Sequence, residues 1–185
     1  LKTAFPHVRW FVNRAPDSIP GGAGGARNLG AQSARGGFLV FLDADDYLFP
    51  DCLTEMLRAY SETESIVYTD YVGAAVVGNV KALSPDLQKR VHAWDGDGAV
   101  IGYKALDFQC ELAQRQPAVN ETPYIWCNVT CLIPRVWHDA LDGFDEGLKS
   151  WEDVDYHWRM ARAGRCYTRI DKELMLYRFA TGSRR

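Results

Sequence analysis

Three carboxylates in four positions, Asp43, Asp45 and Asp46, come directly after five consecutive apolar residues, Phe38-Leu-Val-Phe-Leu42. Like charges at this spacing repel and raise one another's pKa unless something positive sits among them. A divalent cation meets that need, because hard ions such as Mn²⁺ or Mg²⁺ take oxygen ligands and keep positions open for substrate phosphates. The plainer reading of an isolated Asp-x-Asp is a solvated acidic turn whose side chains bond their own backbone amides. A calcium EF-hand loop counted from Asp43 fails, with Leu48 where Gly belongs and Thr54 where Glu belongs.

Two further groups could do chemistry. Gly21-Gly-Ala-Gly-Gly-Ala-Arg27-Asn28 lies at the start of a helical stretch, where glycines let backbone amides approach a phosphate and the helix dipole favours the anion. Gly22-Ala-Gly24 opens like the dinucleotide pattern G-x-G-x-x-G, but Arg27 stands in place of the third glycine. Ser150-Trp-Glu152-Asp153-Val-Asp155 heads another helix. Ser150 and Asp153 have the spacing of a capping box, and Asp153 alternatively suits a general base that takes a proton from an attacking hydroxyl.

The elements that must position these groups alternate. Residues 7–12 read as a short strand leading to a Pro/Gly-rich loop over 15–25; residues 26–34 read as a helix, and 38–42 as a strand buried on both faces. Pro50 opens a helix that places Leu53, Met56, Leu57 and Tyr60 on one face, and residues 65–71 form the next strand. Residues 72–123 read as a variable insertion, with turn-prone Asp95-Gly-Asp-Gly98 and a weak helix over 104–115. Strand 126–134, helix 135–141, a turn at Asp142-Gly143 and helix 151–163 with Val154, Trp158 and Ala161 on one face follow; strands 166–170 and 174–179 close the chain. Such alternation predicts an α/β layered fold with a mostly parallel central sheet, in one domain over residues 1–185.

Composition narrows the function classes. A net charge of −3 lacks the positive field that a nucleic-acid backbone requires, so no nucleic acid is expected as a partner. The 5 cysteines form no C-x-x-C pair and fit a reducing compartment. No apolar run approaches the ~20 residues of a membrane span. The expectation is a cytoplasmic protein, any peripheral membrane association being invisible in the sequence.

Taken in order, Gly25-Ala-Arg27-Asn28-Leu-Gly30, Ala34-Arg-Gly-Gly-Phe38, Phe41-Leu-Asp43-Ala44-Asp45-Asp46 with Pro50, Gly143-Phe-Asp-Glu146, Glu152-Asp153-Val-Asp155 and Tyr177-Arg178 with Ser183 resemble glycosyltransferase family 2 on the GT-A fold. The resemblance implies transfer of a sugar from a nucleotide diphosphate sugar, a UDP-sugar first among them, to a saccharide or other hydroxyl acceptor, by metal-dependent inverting displacement. It implies that Asp45 ligates Mn²⁺ or Mg²⁺ with Asp46 beside it, and that Asp43 lies near the ribose. Ala44, Arg27 and Asn28 fall on the nucleotide side, Asp153 becomes the base, and Trp151 and Glu152 lie near the acceptor. The family's first strands, which build the base pocket, have no match here, so the chain is expected to start at the third strand. The histidine that many members carry after the Tyr-Arg pair is also missing. The competing expectations are an inactive remnant that only binds nucleotide or carbohydrate, and, from the glycine loop, a nicotinamide-dependent oxidoreductase. Trp94, Tyr103 and Trp126 are candidate sugar-stacking rings.

Overall fold

The computed structural model describes residues 8–9, 22–44, 46–76, 91–95, 98–103 and 129–179. Its described elements are α1 (Gly22–Ser33), β1 (Phe38–Val40), β2 (Tyr47–Leu48), α2 (Cys52–Thr63), β3 (Ile66–Val76), β4 (Val91–Asp95), β5 (Gly98–Tyr103), β6 (Leu132–Pro134), α3 (Arg135–Ala140), α4 (Glu152–Arg162) and β7 (Tyr167–Phe179). Of the expected strand at 7–12 only residues 8–9 are described, and they belong to no strand; the helix at 104–115, Trp126 and Ser183 lie outside the described residues, as does Asp45.

β3 is the centre of the sheet. One edge pairs in parallel with β7, and the other meets β6 at Val67↔Leu132 and then β5 from Tyr71 to Val76, both antiparallel. β1 joins β6, β2 joins the far edge of β7, and β4 joins β5, all antiparallel. The α/β layers are as expected, but the mostly parallel pairing is not what the described strands show. β1 and β3, which alternation makes neighbours, do run the same way; β6 lies between them and opposes both. Their carboxyl ends therefore share one edge of the sheet, and Asp43 follows β1 at that edge. The insertion at 72–123 contributes the end of β3 together with β4 and β5, with Asp95 paired to Gly98.

Alternating side chains on the strands feed two cores, as pleating requires. Ile66, Tyr68 and Ile133 point to the face that carries α1, α3 and α4, where they meet Phe41, Phe144, Tyr156 and Met160. Val67 and Leu132 point the other way and meet Cys52, Met56 and Ala59 of α2. Burying each large apolar side chain contributes ~1.5–3 kcal/mol, enough in sum to hold three layers together. Among the described residues no helix is long and apolar enough to cross a membrane.

Local expectations shift for physical reasons. α2 buries Cys52, Met56 and Ala59, leaving Leu53 and Leu57 about half exposed, so the face turned to the sheet is rotated from the one the leucines suggested. α4 is buried on two sides: Tyr156 and Met160 enter the core, while Trp158 and Ala161 pack with Val154 as expected. The two closing strands are one, β7, whose register slips beside Thr69, Asp70 and Tyr71.

Candidate active site

α1 begins four residues ahead of the expected helix, and two of its early glycines, Gly24 and Gly25, are buried. Each glycine costs about 1 kcal/mol of helix propensity, so burial must compensate. A Cβ built on Gly24 would come 3.2 Å from Phe144 Cβ and 3.6 Å from Glu152 Cγ. Gly22 to Gly25 thus form the first turn of the helix, not a loop ahead of it. The loop geometry behind the oxidoreductase expectation is absent from these residues.

That close approach puts Arg27 between the two acidic motifs. Its Nη2 donates to Asp43 Oδ1 at 2.9 Å and its Nη1 donates to Glu152 Oε1 at 2.8 Å. The Arg27 side chain is 12% exposed, Glu152 15% and Asp43 41%. Burial works against the guanidinium's charge, but the hydrogen bonds and charges of Asp43 and Glu152 outweigh it and hold the Arg27 pKa above its ordinary value. The guanidinium also lies 5.4 Å over the Phe144 ring, a cation–π contact. Phe144 in turn stacks on Tyr156 at 4.1 Å and meets Phe41 edge-on at 5.1 Å. One aromatic block therefore underlies Arg27, the strand leading to Asp43, and the helix leading back to Asp153.

The loop carrying Phe144 is pinned from both sides. Asn28, 7% exposed, donates to Phe144 O and Glu146 Oε1 at 2.9 Å each and accepts from Phe144 N at 2.8 Å. From α4, Arg159 donates to Leu141 O and Gly143 O, braced by Asp155 at 2.8 Å. Gly143 has φ +72, and a Cβ there would lie 2.4 Å from Asn28 Oδ1, so no other residue fits without displacing the clamp. The Gly143-Phe-Asp-Glu146 pattern was visible in the sequence, but its role was not; its partner lies more than a hundred residues away.

At the head of α4 the expected Ser150–Asp153 capping box does not form. Trp151 is the N-cap residue without a side-chain cap bond, and Asp153 Oδ1 accepts instead from Val154 N at 2.9 Å. The reason is backbone shape: Trp151 sits in the left-handed region at φ 63, where an N-cap normally has extended backbone. A bulky aromatic in that region is uncommon. Trp151 is 68% exposed, one residue from Glu152 and two from Asp153.

The loop after β1 closes through Asp46 N donating to Asp43 O at 3.1 Å. Ala44 is exposed and Asp46 half-buried. Arg27, Asp43 and Ala44 share an open groove of about 550 Å³ that runs between α1 and β1. Among the described residues no three metal-ligating side chains converge. The loop's donor set is carboxylate oxygen alone, which fits a hard cation. Near the closing motif Tyr177 lies on β7 with its ring 5.9 Å from Tyr71.

Residues 18–110, half of the chain, match the sequence model described as glycosyl transferase family 2. Chondroitin synthase from Pasteurella multocida is 27% identical over 161 residues, 81% of this chain and 14% of that protein. Pre-mycofactocin glycosyltransferase from Mycobacterium tuberculosis is 27% identical over 147 residues, 77% of this chain and 27% of that protein. The chain thus spans a small part of these relatives. The crystal structure of S. aureus TarS 1–349 superposes with a TM-score of 0.53 at 20% identity, covering 86% of this chain and 41% of that one. At that identity the likeness concerns the fold, which is the α/β layered GT-A type.

Proposed function

Because the chain belongs to glycosyl transferase family 2, we propose that it transfers a sugar from a nucleotide diphosphate sugar, UDP-linked in the first instance, to an acceptor hydroxyl with inversion at the anomeric carbon. The observation that carries this reading is the Arg27 bridge, in which one guanidinium holds Asp43 of the carboxylate loop and Glu152 at the head of α4, 125 residues away from Arg27 in sequence. Two acidic motifs suited to different tasks thereby meet at one side chain.

In this reading Arg27, Asp43, Ala44 and Asp46 face the nucleotide side, with Asn28 acting through the loop it clamps. Asp45, with Asp46 beside it, would hold Mn²⁺ or Mg²⁺, which when bound offsets the charge gathering on the departing diphosphate. Asp153 keeps Oδ1 on the Val154 amide; its other oxygen takes the proton from the acceptor hydroxyl as the hydroxyl oxygen attacks the anomeric carbon. The bond to the diphosphate breaks on the opposite face, so one displacement inverts the centre and leaves no sugar on the protein. Trp151 offers the acceptor an exposed ring at the same helix head.

Isothermal titration with UDP tests the donor half. Wild type should bind UDP in the presence of Mn²⁺ and lose that binding in its absence, and Asp45→Ala should lose it in both conditions. Full UDP affinity in Asp45→Ala would contradict the assignment. UDP binding by wild type without release of UDP from any of a panel of UDP-sugars would favour the binding-only alternative.

A further inference from the structure

The contacts of Glu152 lead to α1. Its carboxylate accepts from Arg27 Nη1 at 2.8 Å, its stem packs against Gly24 of α1, and its side chain is 15% exposed. Arg27 therefore has two unlike partners: Glu152 is nearly closed off from solvent, while Asp43, on the other arm of the guanidinium, is 41% exposed. A planar guanidinium gripped on one arm presents the other in a fixed direction, whereas an ungripped one swings freely and can turn both N–H arms onto a single carboxylate. The three groups together carry one net negative charge, which leaves Arg27 neutralised but not withdrawn from the cleft.

We propose that Glu152 is a donor-side positioning residue: by anchoring one arm of Arg27 it keeps Asp43 and the guanidinium set for the nucleotide diphosphate, and it does not ligate the acceptor. Preorganisation of this kind raises affinity by removing the ordering that binding would otherwise require. The proposal rests on the glycosyl-transfer reading and assigns to the donor a residue that the resemblance places with the acceptor. Without Glu152, Arg27 closes on Asp43 with both arms and takes the open carboxylate out of use.

The test is Glu152→Gln, which keeps size and removes charge, with Arg27→Lys and the double variant beside it. UDP affinity in Mn²⁺ is measured by titration, and KM for the acceptor is measured separately by UDP release. Glu152→Gln should weaken UDP binding about tenfold, or ~1.4 kcal/mol, with acceptor KM within about twofold of wild type. The double variant should bind UDP no more weakly than Arg27→Lys alone, because an anchor has no effect once its cargo is gone. Unchanged UDP affinity in Glu152→Gln, or a raised acceptor KM in its place, overturns the proposal. Should Glu152→Gln not fold, Arg27→Lys reads the same coupling, since an ammonium cannot hold both carboxylates in fork geometry: unchanged UDP affinity there also overturns it. Failure of wild type to bind UDP with Mn²⁺ is a different result, which removes the donor reading and this role with it.

Discussion

Arg27 and Asn28 are adjacent in sequence and equally marked by the motif, yet the fold turns them to opposite duties. Arg27 reaches the open groove and the two acidic motifs, while Asn28 is buried and spends both ends of its amide on residues 144 and 146. Replacing Asn28 by Ala would leave the Phe144 amide and carbonyl without their partner, a cost of roughly 2–3 kcal/mol. Thermal unfolding should show it as a fall in Tm of several degrees, with UDP affinity reduced through the loosened loop. An unchanged Tm would mean that the loop is held by other contacts. The sequence made both residues candidates but could not distinguish them, because orientation is decided by partners more than a hundred positions away. Glu152 shows the same limit: its place beside Asp153 was legible, its engagement with Arg27 was not.

At the scale of elements, periodicity located the helices well and their faces less well. α2 starts two residues after Pro50, but Leu53 and Leu57, which the spacing places on the core face, are about half exposed, and Cys52 and Ala59 are buried instead. Hydrophobicity ranks Leu above Cys and Ala, whereas close packing of a helix on a sheet favours the smaller residues. The start of α1 is hidden for a related reason: propensity counts glycine as a breaker, while Phe144 and Glu152 need the space that Gly24 leaves. The contact between α3 and α4 yields a pH dependence. His138 Nδ1 and the Tyr156 hydroxyl are 2.8 Å apart in the core. Burial pushes the Tyr156 pKa up, keeping the hydroxyl protonated, and burial chiefly lowers the His138 pKa below 6.5, with Arg135 and Arg159 acting the same way against Asp139. The unfolded chain protonates this histidine near its ordinary value while the folded chain still refuses the proton. The stability from keeping His138 neutral is thus complete above the unfolded pKa and is lost as pH falls toward the folded one. Between about pH 7.5 and 5.5, Tm should drop more for wild type than for His138→Gln; equal slopes would show that this pair does not contribute.

At the scale of the whole molecule, the layered α/β class was legible from alternating strand and helix signals, but the order of strands was not. β6 is three residues long and enters between β1 and β3 from far along the chain, and no local pattern announces such an insertion. The same arrangement brings the carboxyl ends of β1 and β3 to one edge and returns α4 with its first turn facing α1, so that residues 27, 43 and 152 meet. The proposed transfer needs this edge to be one cleft, with the donor on one side and the Asp153 carboxylate, as general base, on the other. Asp153→Asn tests it most directly, by UDP titration with Mn²⁺ alongside UDP release from a UDP-sugar that wild type turns over in the presence of acceptor. UDP affinity should stay within about twofold of wild type, with transfer reduced by ~10²-fold or more. Transfer at the wild-type rate, or transfer and UDP binding lost together in a folded protein, would contradict the proposal.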